Sequence, residues 1–88
     1  MSKITFTENG WEDYLYWQSE DKKTLKKINS LLKGIQREPF GGEGKPEPLK
    51  NENGDWSRRI NKEHRLVYKI ENELIIIKSC KGHYESLY

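Results

Sequence analysis

The sequence predicts an α+β fold in which two helices, joined as a hairpin, pack on a small and mainly antiparallel sheet. Three observations carry this. Two stretches of helical apolar spacing follow one another before Pro39. Trp56–Tyr68 alternates like two short strands joined by a polar turn. Leu74-Ile75-Ile76-Ile77 is a continuous apolar run, the pattern of a strand inside a sheet. The length of 88 residues sets one domain, residues 1–88, with one modest core.

Residues 3–7 alternate polar and apolar, the period of a half-buried strand. Thr7 is placed to cap a first helix, and Glu8, Glu12 and Asp13 put negative charge at its N-terminus. Trp11, Tyr14 and Leu15 fall at helical spacing and are expected to face the core, with Tyr16 and Trp17 widening that face. Ser19 or Asp21 caps a second helix, where Leu25, Ile28, Leu32 and Ile35 form an apolar seam broadened by Leu31. Lys22, Lys26 and Lys33 occupy its opposite face, and Pro39 stops it.

Residues 38–55 form the one long loop, holding all three prolines and four of the seven glycines. In so small a domain a loop of this length points to function. Beyond it, Trp56, Arg58 and Ile60 share one face of a strand, and Leu66, Tyr68 and Ile70 one face of the next. Keeping the apolar faces together sets Ile60 opposite His64 and Arg59 opposite Arg65, away from the core. Two facing arginines repel without structural benefit, which is expected at a functional site. The final run is expected to be buried on both faces, with Gly82 ending it and His83-Tyr84 emerging at a rim.

Charge and composition narrow the class. The net charge of +2 conceals segregation: residues 8–21 carry five acids and no cation, while residues 44–69 carry seven cations against four acids. Basic patches of this kind suit a polyanion. No apolar run is long enough to span a bilayer, and the N-terminus lacks a signal-peptide pattern, so a cytoplasmic chain is expected. A single cysteine, Cys80, provides neither a disulfide framework nor a cysteine metal cage. Gly41-Gly42-Glu43-Gly44 lacks the Lys-Ser/Thr and helix of a phosphate-binding loop. No metal and no cofactor is expected.

With Trp11–Trp17, Gly44–Lys50, Trp56–Ile60, Glu63–Tyr68 and His83-Tyr84 taken together, nearly the whole chain resembles the YoeB (Txe) toxins of the RelE/ParE toxin–antitoxin superfamily. The resemblance implies a β-α-α-β-β-β fold like a compact microbial ribonuclease. It further implies an endoribonuclease acting on messenger RNA at the translating ribosome, restrained by a YefM-like antitoxin that also serves as co-repressor partner. Glu85–Tyr88 extends past the His-Tyr pair at which family members commonly end.

Such chemistry needs no metal if the 2′-hydroxyl of the RNA attacks the adjacent phosphorus. It needs a base, an acid for the leaving 5′-oxygen, and cations for the phosphoryl charge. Glu47, its backbone restricted by Pro46 and Pro48, is the candidate general base. His83 is the candidate acid, because imidazole changes charge near neutral pH. Arg65 is assigned to transition-state charge, Tyr84 to orientation or base stacking, and Lys50 and Arg59 to substrate phosphates. Outside the family context, Glu47 reads as a solvated loop residue, and His83 and Tyr84 as rim side chains. Arg58 is expected to pair with an acidic neighbour, His64 is turned towards Ile60, and Cys80 is expected to be inert. Two alternatives remain at this level: a ParE-like topoisomerase inhibitor without catalysis, and a plain RNA-binding module. A homodimer is allowed but not demanded, and no membrane partner is expected.

Overall fold

The computed structural model describes residues 2–51 and 53–82. Strand β1 (Lys3–Phe6) leads into helix α1 (Glu8–Glu20) and helix α2 (Lys22–Arg37). Three further strands, β2 (Glu47–Pro48), β3 (Trp56–Arg59) and β4 (Arg65–Glu71), precede β5 (Leu74–Ser79). The strands form one mixed sheet in the order β1-β5-β4-β3-β2, parallel between β1 and β5 and antiparallel elsewhere.

The caps follow the sequence. Thr7 Oγ1 accepts the Gly10 N–H, and Asp21, rather than Ser19, caps α2 by accepting from Lys23 and Thr24. These bonds satisfy N–H groups that a helix start leaves open. They also hold the Asp21 carboxyl below its usual range, the Thr24 hydroxyl first. Both helices lie on one face of the sheet. Ile28, Leu31, Leu32 and Ile35 of α2 meet Leu66, Tyr68, Ile75 and Ile77 in the core.

Helix α1 departs from its expected orientation. Trp11 and Leu15 are 47% and 41% exposed, while Trp17 is buried and joins the core. Tyr14 packs at the core edge as expected. The cause is Gly10, where a Cβ would collide with the Ile77 carbonyl. Backbone therefore meets backbone, and the buried stripe runs Gly10–Asp13/Tyr14–Trp17. Trp11 instead stacks on Tyr14 and meets Phe6 edge-on.

Strand β5 is interior, as its apolar run implied, because β1 and β4 flank it. The expected burial on both faces does not hold. Ile75 and Ile77 are fully buried, Ile76 is only partly covered, and Leu74 is exposed. The long loop contains a strand that the sequence did not predict: Glu47 and Pro48 pair with Ser57 and Trp56 at the sheet edge.

Candidate active site

The predicted hairpin register is the observed one. Arg58 pairs with Leu66 and Arg59 with Arg65, and the Ile60 N–H donates to His64 O. Glu47 lies opposite Ser57 in the next strand. Alternation therefore sets Glu47, Ser57, Arg59 and Arg65 on the face away from the helices.

That face is partly roofed. Leu49 and Asp55 are buried, the Leu49 N–H donates to Asp55 O, and the Asp55 carboxylate lies 2.8 Å from Lys78 Nζ on β5. Leu49 and Asp55 thus cover part of the outer side of the sheet, where Ser57 and Val67 are buried. Beside this roof Glu47 is half-exposed, and Arg65 keeps only a small opening to solvent. An Arg65 Nη2 lies 3.3 Å from Glu47 Oε1, with the arginine side chain 11% and the glutamate 49% exposed. Arg65 Nε–H donates to Ser57 Oγ at 3.1 Å. The guanidinium is thereby held edge-on by a buried hydroxyl, which limits its rotation.

The loop before Glu47 is held from below. Arg58, fully buried, donates to Glu43 O at 2.8 Å, Glu38 O at 2.7 Å and the Tyr68 hydroxyl at 3.2 Å. The expected acidic partner is replaced by main-chain carbonyls, which tie residues 38–43 to the sheet. Tyr68 in turn donates to Pro39 O. Arg59 N–H donates to Gly44 O, where φ is +87° and a Cβ would press on Leu31 and Arg58. Glycine is required there by both backbone and space. Lys27 and Ser30 of α2 hold Glu43 and keep its carboxyl below the usual range, Lys27 first.

Of the six residues nominated from sequence, the fold brings Glu47, Arg59 and Arg65 onto one surface. Lys50 is exposed just past Leu49, outside that strand register. His83 and Tyr84 lie outside the described residues. The chain leading to them is held beside Arg65, whose N–H donates to Gly82 O at 2.9 Å. Ser57 was missed by sequence reasoning. Its signal was its place opposite Glu47 in the hairpin, readable only once β2 was known to pair. Among the described residues, no three His, Cys, Asp or Glu side chains converge as a metal ion would need. No helix among them is long and apolar enough to cross a membrane.

A helical hairpin on one face of a five-stranded mixed sheet, with charged residues on the other face, is the fold of the YoeB/ParE-like toxins. A dimeric YoeB from Staphylococcus aureus superposes with a TM-score of 0.88 at 53% identity, covering 94% of this chain and 98% of that one. YoeB in a heterotetrameric YoeB–YefM toxin–antitoxin complex from the same organism gives 0.85 at 53% identity, covering 96% and 99%. Toxin YoeB of Synechocystis sp. is 61% identical over 84 residues, 94% of this chain and 98% of the relative. Residues 6–84 match the model of the YoeB-like toxins of bacterial type II toxin–antitoxin systems, and the chain belongs to that family.

Proposed function

We propose that this toxin is an endoribonuclease that cuts messenger RNA on the translating ribosome and so inhibits translation. Glu47 takes the proton of a 2′-hydroxyl, the 2′-oxygen attacks the adjacent phosphorus, and the bond from phosphorus to the 5′-oxygen breaks. His83 protonates that 5′-oxygen, leaving a 2′,3′-cyclic phosphate and a free 5′-hydroxyl. Arg65 stabilises the added phosphoryl charge, Arg59 and Lys50 hold neighbouring phosphates, and Tyr84 orients the substrate or stacks on a base.

The observation that carries this reading is the Glu47–Arg65 contact of 3.3 Å on a solvent-facing surface. A partly exposed carboxylate beside a guanidinium restrained on two sides is a base next to a phosphate site. A phosphate arriving at Arg65 displaces the carboxylate and frees it to accept a proton. A YefM-like antitoxin is the proposed inhibitor and co-repressor partner, and a homodimer the proposed self-association. Relatives from Staphylococcus aureus take both forms. The cytoplasm is the proposed location, since the ribosome is there. The described chain functions on this reading as one toxin domain.

Primer-extension mapping of a message translated with and without the protein tests this. New 5′ ends should appear with wild type and vanish with Glu47→Ala or His83→Ala, both still folded by circular dichroism. Cleavage at the wild-type rate with both changed would overturn the mechanism. Growth arrest with intact message and a requirement for a topoisomerase would favour the ParE-like alternative. Salt-sensitive RNA binding without strand cutting would leave only a binding module.

A further inference from the structure

Residues Cys80 to Gly82 follow β5 as irregular chain, yet three other parts of the molecule hold their backbone. The Trp17 indole N–H donates to Cys80 O at 2.7 Å, and Asp13 Oδ2 accepts the Cys80 N–H at 3.0 Å. Nδ1 of His64 accepts the Gly82 N–H at 2.8 Å, while Arg65 N–H donates to Gly82 O. Asp13 and Trp17 stand one helical turn apart on α1 and so share a face. The Trp17 and His64 rings meet edge-on, with centroids 4.7 Å apart.

His64 is itself rigidly mounted. Asn61 Oδ1 accepts the N–H groups of Glu63 and His64, and the Ile60 and Asn61 N–H groups both donate to His64 O. Because Nδ1 accepts a hydrogen bond, the neutral imidazole carries its proton on Nε2. At Gly82 φ is +92°, and an added Cβ would meet nothing within 4 Å. The glycine is therefore required by the turn and not by crowding.

Irregular chain usually leaves its peptide groups to water. Here a buried indole and a carboxylate from α1, and a histidine from the turn between β3 and β4, are spent on the backbone of Cys80 and Gly82, just before His83. We infer that Asp13, Trp17 and His64 form a seat that fixes the chain entering the His83-Tyr84 pair, with His64 a positioning residue acting through the Gly82 N–H. The catalytic part of this inference rests on the reading of His83 as general acid.

Two amide replacements of His64 separate this role from simple packing. His64→Asn sets an amide oxygen near the place of Nδ1, whereas His64→Gln sets its amide near the place of Nε2. The readouts are hydrogen exchange of the Gly82 amide by NMR and single-turnover cleavage on ribosomes. His64→Asn should keep Gly82 protected and cleave within about 3-fold of wild type, while His64→Gln should lose protection and fall roughly 10- to 100-fold in rate with KM within about 2-fold. Trp17→Phe, which keeps the ring and removes the N–H, should lose rate in the same way. Equal behaviour of the Asn and Gln variants, or a Gly82 amide still protected in His64→Gln, would overturn the seat. If wild type cuts nothing while Gly82 protection follows the Asn/Gln pattern, the seat stands and the nuclease reading falls.

Discussion

Ser57 shows how much one buried hydroxyl can decide. It stands between Glu47 and the core of the sheet, and it accepts the Nε–H of Arg65. Without it the guanidinium keeps its charge but loses one of the contacts that set its plane. Ser57→Ala should therefore destabilise the fold by about 1.5–3 kcal/mol, the usual worth of a hydrogen bond to a charged group. On the proposed chemistry it should also slow cleavage about tenfold, since a small misplacement of a charge stabiliser is costly. Ser57→Thr should restore much of both. Urea denaturation and single-turnover kinetics read the two effects, and an alanine variant unchanged in both would remove Ser57 from the site. Arg58 and Arg59, adjacent in sequence, have opposite fates for an equally simple reason. Strand alternation turns Arg58 inwards to main-chain carbonyls and leaves Arg59 on the outer face.

At the scale of elements, the loop from Glu38 to Pro46 behaves as an extension of the sheet. Arg58 and Tyr68 grip it through Glu38, Pro39 and Glu43, and Gly44 closes it on Arg59. Burial pushes the Tyr68 phenol up, so it remains protonated and able to donate to Pro39. Tyr68→Phe removes that donor and one acceptor of Arg58. It should lower stability by about 1–3 kcal/mol and make residues 39–46 the first point of limited proteolysis. An unchanged urea midpoint with an intact loop would show that the clamp does not hold it. The helices follow the same logic. α2 was legible because its seam is wholly apolar, whereas the inward stripe of α1 begins with a glycine that no apolar count registers. The protein is better described as placing Gly10 against β5 than as placing Trp11 in the core.

For the whole molecule, Cys80 is a built-in reporter. Burial, and then the nearby Asp13 charge, pushes its thiol up to about 12, and its sulfur is fully buried. At neutral pH the native protein should resist a thiol reagent, and labelling should proceed only through opening of the fold. Its rate should rise with urea in parallel with global unfolding. Reaction at the rate of a free cysteine in the absence of denaturant would show that the end of β5 opens by itself. This measurement bears directly on the site, because Cys80 is the first residue of the segment leading to His83.

What the chain determined by itself were its local periods. The alternation of β1 and β3, the seam of α2, the cap at Thr7, a cap at Ser19 or Asp21, and the Arg59–Arg65 register all depend on neighbours within a turn or across one hairpin. Those interactions leave a mark in nearby residues. The family blocks also made Glu47 and Arg65 readable as a pair, though not as touching. Tertiary structure alone decided the parallel placement of β1 against β5, the pairing of Glu47–Pro48, the roof over Ser57 and the roll of α1. It also decided the seat of Gly82, where residues 64 and 82 meet. Apart from the Glu47–Pro48 pairing, which closes an irregular loop, each of these joins segments far apart in the chain. Long-range contacts of this kind are selected by packing and by the need to satisfy buried polar groups, neither of which has a period in the sequence.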